Sequence, residues 1–366
     1  MFDSLNKKTL IIAGSSIVGL LVLIILISFI VSTVSPSYIS YAKFEERLAS
    51  AAKNYYKANP SSLPTTDGET IIYYSTLEEG GYVKPITELL ENGANCTAEV
   101  IVNKYGVNYN YVPYLVCPGD YESKELYKAI LEDNKIVTEG KGLYRGNDSY
   151  YFRGEEINNY VLIDEILWRI VKINNDNSIT IIQTKPFDDY YEWDNRYNPE
   201  EDDKTGINDF EVSRLKVKLQ ELASGVEVLS DTTKARLTAR NLCIGKRELE
   251  ETDSSGSIEC STMSEDTYLL GLITVSEYMA ASLDENCTTT LSKSCINYNF
   301  LATYYTSSWS LTAMADNTKG AFRYSRNGIL KSDASVSSSL NLTAFISKRA
   351  FYKSGTGTLT DPYIMK

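Results

Sequence analysis

The sequence predicts an α+β protein, most of it outside the cytoplasm, behind a single N-terminal transmembrane helix. Three observations carry that expectation. No charged residue occurs from Thr9 to Ala42. Tyr41, Phe44, Leu48, Ala52 and Tyr55 then recur at helical steps, and short alternating runs bounded by turn residues follow. Downstream stand six cysteines, an even number that outside a membrane reads as disulfides.

The apolar heart, Leu10–Val34, is 25 residues long. That is about 37 Å of helix at about 1.5 Å per residue, enough for a hydrocarbon core of about 30 Å. The apolar region of a cleaved signal peptide is shorter, about 7–15 residues, so the run reads as a retained anchor. Lys7 and Lys8 precede it and place residues 1–9 in the cytoplasm by the positive-inside rule. A single-pass protein of the cell membrane with an extracellular bulk follows.

Residues 35–120 read as a long helix over a small antiparallel sheet. The helix covers 38–59 and is stopped by Asn59-Pro60. Ile71 to Ser75 is a short strand, and Leu77-Glu78-Glu79-Gly80-Gly81-Tyr82 is turn-like. Thr97–Val102 and Val107–Val116 flank Lys104-Tyr105-Gly106 as a hairpin whose ends Cys96 and Cys117 would staple. With Lys7-Lys8-Thr9-Leu10-Ile11 before it, this arrangement resembles a type IV pilin or pseudopilin. The resemblance implies a helix that leaves the membrane and lies on a sheet. It departs at Lys8, where pilin precursors carry Gly-Phe before Thr-Leu, and in the span, which lacks their Glu.

Residues 121–142 read as a linker with a short helix, Leu126–Asp133. Residues 143–366 form the larger unit. Tyr160–Ile163 and Leu167–Ile173 are strands, and Ser178–Gln183 pairs back across Asn174-Asn175-Asp176-Asn177. A helix covers Asp209–Leu222 with Asn208 as its cap. A second, Val275–Ala281, has Thr274 and Glu277 in capping-box positions. Trp309–Met314 and Phe322–Tyr324 are strands, and Asn327-Gly328 is a hairpin turn. The motifs Tyr151-Phe152-Arg153-Gly154, Leu167-Trp168-Arg169-Ile170, Trp193-Asp194-Asn195-Arg196-Tyr197-Asn198, Cys243-Ile244-Gly245-Lys246-Arg247 and the closing Gly355-Thr356-Gly357-Thr358 with Asp361-Pro362-Tyr363 resemble a family of surface proteins from Firmicutes and Mollicutes. The resemblance implies a secreted or anchored domain whose order of elements is similar to C-type-lectin-like folds.

Composition excludes whole classes of function. The chain has no histidine, so it has no Ser-His-Asp or Cys-His unit and no imidazole ligand. With 36 basic against 48 acidic residues, it lacks the cationic excess that nucleic acid demands. No CxxC occurs, so Cys96, Cys117, Cys243, Cys260, Cys287 and Cys295 read as disulfides rather than a zinc set. Many pairings are formally open; joining neighbours, Cys96–Cys117, Cys243–Cys260 and Cys287–Cys295, is the simplest.

The sharpest local feature spans Phe187 to Glu211, with ten acids against two bases. Asp188, Asp189, Asp194, Asp202 and Asp203 are the candidate ligands there for calcium, which takes six to eight hard oxygens. No other cofactor is expected. Tyr190, Tyr191, Trp193 and Tyr197 in the loop, with Trp309, are candidate platforms for a ligand, since aromatic faces beside amides and carboxylates suit sugar rings. Arg153 and Arg169 are expected to pair with acids, and Trp168 to lie in the core. The function expected is a membrane-anchored extracellular binding or adhesion protein that recognises a glycan, the cell wall or another protein. A pilin-like structural role is one alternative. A glycoside hydrolase is another, with Asp188 or Asp189 paired to Glu192 or Asp194.

Overall fold

The computed structural model describes residues 38–187 and 189–366. The expected cytoplasmic segment 1–9, the apolar run Leu10–Val34 and Asp188 lie outside them. The described chain is a sheet-rich α+β fold with seven α-helices and eighteen strands. Among the described residues no helix is long and apolar enough to cross a membrane. This corrects the expected fold, in which a transmembrane helix ran on into a stalk and a lectin-like head. The first described helix, α1 (Tyr41–Ala58), starts at a cap of its own. Ser40 is extended, and its Oγ accepts from the Lys43 N–H, satisfying a donor that the first turn cannot satisfy itself.

The chain divides into two units. In the described residues the first comprises 38–60, 72–100 and 113–122, and the second 61–71, 101–112 and 123–366. In the first unit α1 buries Phe44, Leu48, Ala51, Ala52 and Tyr56. Tyr41 stacks on Tyr121 at 4.7 Å, and Tyr55 meets Tyr82 edge-on at 5.4 Å. Asn59 ends the helix by donating its backbone N–H and its Nδ2 to the Tyr55 carbonyl. The strand β1 (Gly68–Tyr73) passes into α2 (Tyr74–Glu79), which replaces the expected turn because Leu77 is drawn fully inside. After α3 (Ile86–Leu89) come β2 (Thr97–Tyr105) and β3 (Asn108–Cys117), joined at the expected turn, where Gly106 takes φ +56°. The Cys96–Cys117 disulfide closes that hairpin's base. With β4 (Tyr121–Glu122) the sheet order is β1-β2-β3-β4.

From residue 123 onward the chain belongs to the second unit, where α4 (Leu126–Asp133) buries Leu126 and Ile130 in that unit's core. Five strands follow: β5 (Gly142–Arg145), β6 (Tyr150–Arg153), β7 (Tyr160–Ile163), β8 (Ile166–Ile173) and β9 (Ile179–Gln183). With β11 (Leu270–Gly271) and β16 (Thr343–Ile346) they form a seven-stranded sheet, ordered β11-β16-β9-β8-β6-β5 with β7 beside β8. Every residue of β9 is buried. Its continuous Ile-Thr-Ile-Ile run is what a strand covered on both faces requires. A second, five-stranded sheet is ordered β10-β15-β12-β13-β14 from β10 (Tyr190–Glu192), β12 (Ser308–Ala313), β13 (Gly320–Ser325), β14 (Gly328–Asp333) and β15 (Ser337–Ser339). Gly328, at φ +98°, makes the Asn327-Gly328 turn between β13 and β14. Trp168, Trp193 and Trp309 are all fully buried in this unit's core.

The stretch between the helix α5 (Arg214–Ser224) and β12 has little regular structure; its helices α6 (Asp231–Lys234) and α7 (Val275–Ala280) are short. An internal ion pair organises much of it. Arg247 and Glu259 are both fully buried, 3.4 Å apart. Arg247 Nε donates to Thr290 Oγ1 at 2.7 Å, and its guanidinium also reaches Ser276 Oγ and the Asp253 carbonyl. Glu259 accepts from the Ser276 N–H and hydroxyl and from Thr312 Oγ1. The disulfide Cys243–Cys260 lies one residue from Glu259, and Cys287–Cys295 closes a neighbouring loop. All three bridges therefore join neighbouring cysteines. The Thr274/Glu277 capping box on α7 is formed as expected.

The closing motif is docked on β7. Tyr160 donates its N–H to the Gly357 carbonyl and accepts from the Tyr363 N–H, while the Leu162 N–H reaches the Tyr363 carbonyl, each at 2.9 Å. Gly355 has φ +97°, and a Cβ there would stand 2.0 Å from the Pro362 carbonyl oxygen. Gly355→Ala is expected to lower stability by about 2 kcal/mol or more, through strain and forced separation of the two backbones. Gly140 also has positive φ, but open space around its Cβ position, so Gly140→Ala should cost clearly less. Urea midpoints of the two variants compare the costs, and equal shifts would dismiss the close approach.

Candidate functional site

The acidic loop is not an open basket of carboxylates. Asp194 is fully buried. Its Oδ1 accepts from Arg196 Nε at 2.9 Å and from the Arg214 N–H at the start of α5, and its Oδ2 accepts from the Ile207 N–H at 2.8 Å. A carboxylate against the first turn of a helix is favoured by the helix dipole. Asp194 thus ties the loop to α5 and has no oxygen aimed at solvent. Asp189 accepts from the Tyr191 hydroxyl and Asp202 from the Tyr197 hydroxyl. Asp203 holds the Lys204 N–H, and Glu201 is ion-paired to Lys319 at 2.7 Å. Among the described residues no group of three or more acidic or sulfur ligands is placed to hold a metal ion. The expected calcium ligands Asp189, Asp194, Asp202 and Asp203 each have local hydrogen-bond partners and, among the described residues, are not gathered into such a group. Asp188 lies outside the described residues. Of the carboxylates expected for a hydrolase, Asp194 is enclosed and Glu192 accepts from Ser337 Oγ.

The expected aromatic platform divides the same way. Trp193 and Trp309 are fully buried, and their indole N–H groups donate to the Ser310 and Tyr191 carbonyls, so neither offers a ring face to a ligand. Tyr191 is half-buried beneath the Lys218 ammonium, 4.6 Å from the ring centroid. Tyr190 and Tyr197 are exposed. Asn208, expected to cap a helix, is instead fully buried and donates to the carbonyls of Met314, Asn317 and Gly320. Ser213 caps α5 in its place. The expected acid partners of two arginines are also corrected. Arg153 binds the Ser282 carbonyl and lies over Tyr144, while Arg169 meets Asn159 and two rings.

A different surface concavity lies in the second unit. Glu69, Asp176, Ser178, Thr238, Ser347, Lys348 and Arg349 line a cleft of about 560 Å³. The turn after β8 supplies Asp176, whose Oδ1 accepts from the Ser178 N–H at 3.0 Å, the Ser178 hydroxyl at 2.7 Å and Arg240 Nη1 at 2.6 Å. Asn177, at φ +66°, turns the chain sharply enough for this. The end of β16 supplies Ser347, whose N–H donates to the Arg236 carbonyl, and Arg349, which is ion-paired to Glu69. Lys348 is exposed. The lining therefore holds three hydroxyls, both signs of charge and no aromatic ring. Sequence reading marked Asn174–Asn177 only as a turn. The other lining residues come from segments far apart in the chain, and no spacing signal announces their meeting.

No family model, no curated protein and no solved structure matches this chain. The chemistry of the cleft is therefore read from its residues.

Burial works to raise the Asp176 carboxyl, but the Ser178 and Arg240 hydrogen bonds outweigh it and hold the carboxyl below its ordinary value. A carboxylate depressed in the folded state adds stability above its unfolded pKa of about 3.9, and that stability is lost as pH falls through the lower folded value. Asp176→Asn is expected to flatten the fall of the urea midpoint between about pH 5 and pH 2 relative to the parent protein. Parallel curves would show that the Asp176 contacts are not linked to folding.

Proposed function

We propose that this is an extracellular binding protein that holds a polyhydroxylated ligand, a glycan, in the Asp176–Arg349 cleft. The three disulfides mark an extracellular protein. The observation that carries the reading is the lining: Thr238 and Ser347 bring hydroxyls, which can both donate and accept, beside the Ser178 hydroxyl held by Asp176 and Arg240 and beside guanidinium and carboxylate groups already fixed against each other. Paired charges of this kind present directional donors and acceptors without a net charge to be neutralised, which suits an uncharged polyol. Lys348 adds one exposed ammonium at the rim, where an acidic substituent on a sugar would meet it.

The test is a glycan and cell-wall panel probed with the purified chain, with calcium and with chelator. Binding is expected in both buffers. Thr238→Val removes a hydroxyl at nearly constant volume and is expected to weaken binding by about tenfold, as a hydrogen bond lost from a desolvated contact does. Lys348→Ala should act chiefly on acidic glycans. Binding that requires calcium, binding indifferent to both substitutions, or no binding to any glycan would each overturn the assignment to this cleft.

A further inference from the structure

The first unit has a concavity of its own beside α1. Lys43, Glu46, Arg47, Ser50, Ala51 and Asn54 line one side of it. Their spacing alternates between three and one, so they share one stripe of the helix surface. The stripe next to it, with Phe44, Leu48, Ala52 and Tyr56, is buried. From Lys43 to Asn54 the lining stripe runs about 16 Å at about 1.5 Å per residue. The cavity measures about 390 Å³, a size that small ligands use, since their sites span about 300–1,000 Å³.

The facing wall is Tyr82, Val83, Lys84 and Leu89. It is held by contacts of its own. Gly81, at φ +71°, turns the chain out of α2, and the Tyr82 N–H donates to the Leu77 carbonyl at 2.9 Å. The Tyr82 ring meets Tyr55 edge-on, and its hydroxyl accepts from Asn59 Nδ2 at 3.2 Å. The Lys84 carbonyl accepts from the Tyr74 hydroxyl at 3.1 Å, and the Leu89 carbonyl from the Ile39 N–H at 2.9 Å. Ala51, Val83 and Leu89 are buried and supply the apolar part of the lining. Walls fixed in this way lower the ordering cost of binding.

Charge sets the kind of ligand. The lining has three cations, Lys43, Arg47 and Lys84, and one carboxylate, Glu46, which is ion-paired to Lys43 at 2.8 Å. Arg47 and Lys84 join no ion pair among the described residues. A positive surplus thus gathers in one cavity of a chain whose net charge is −12. A guanidinium offers a planar fork that fits a carboxylate, and an ammonium adds a point charge. Asn54 brings an amide, which can donate to and accept from a peptide group. The apolar lining is aliphatic and small, which suits one aliphatic side chain.

We propose that this cavity binds the C-terminal end of a short peptide whose last residue is apolar. The free carboxylate lies on Arg47 and Lys84, the last side chain against Ala51, Val83 and Leu89, and the last peptide group on Asn54. The site belongs to the first unit, and its test involves no glycan.

The experiment titrates N-acetyl-alanyl-leucine, and the same dipeptide amidated at its C-terminus, into the full chain, read by saturation-transfer difference NMR. The free acid is expected to bind with a dissociation constant of about 1 mM or below, the range open to a ligand of this size. The amide, which lacks the charge, should bind about tenfold more weakly. Arg47→Gln and Lys84→Gln should each weaken the acid by about fivefold and leave the amide unchanged. N-acetyl-alanyl-glycine, without the apolar side chain, should bind severalfold more weakly than the leucine peptide. Lys57→Gln, on the same helix but outside the lining, should change nothing. Equal affinity for acid and amide would overturn the proposal. So would acid binding that survives both lining substitutions, or no binding of the acid at ten times the expected constant.

Discussion

The Arg247–Glu259 pair is the constraint on which the irregular part of this fold depends. Two opposite charges with no solvent exposure are tolerated only when their remaining donors and acceptors are satisfied. That demand draws in Thr290, Ser276, Thr312 and the Asp253 carbonyl, each from a different stretch of chain. The backbone follows. The Arg247 N–H reaches the Ala313 carbonyl and the Ala315 N–H returns to the Arg247 carbonyl, fastening the loop to the end of β12. Gly245 passes so close to Ile258 that a Cβ would stand 2.4 Å from its carbonyl oxygen. Removing one charge of such a pair costs about 3–5 kcal/mol, and here it would release several loops at once.

The same device recurs in smaller form. Where helices and ladders are absent, a buried Asn or Asp satisfies the backbone instead. Asn208 holds three carbonyls, and Asn299 holds those of Tyr278 and Cys295. Asp194 holds two backbone N–H groups and a guanidinium. Such groups are expensive to bury alone, yet stabilising once every lone pair is used. A sequence rich in Asn and Asp can therefore still support a large interior.

Features set by nearby residues were readable in the sequence. The Thr274/Glu277 box, the Asn327-Gly328 turn and the Lys104–Gly106 hairpin each depend on a few adjacent positions, and all appear. Joining neighbouring cysteines also holds. Features set by depth were not readable. Charge counting found the acidic loop but could not say that Asp194 points inward, because its partners Ile207 and Arg214 meet it only after folding. Trp193 and Trp309 looked like binding aromatics by their company; their indole donors are used inside. Asn208 had the type and position of a helix cap, yet three carbonyls of the β12–β13 connection claim it and Ser213 takes over. The cleft was invisible for a related reason. Glu69, Asp176, Thr238 and Arg349 share no motif and come from a strand of one sheet, a turn of another and two loops, segments that meet only in the folded chain.

The order of the disulfides has a consequence for how the chain matures. Each bridge joins two cysteines with no other cysteine between them. A polypeptide that enters an oxidising compartment in chain order presents Cys96 and Cys117 ahead of Cys243, which follows Cys117 by 126 residues. The later pairs follow the same schedule. Successive oxidation in order of arrival therefore yields the native set without thiol–disulfide exchange.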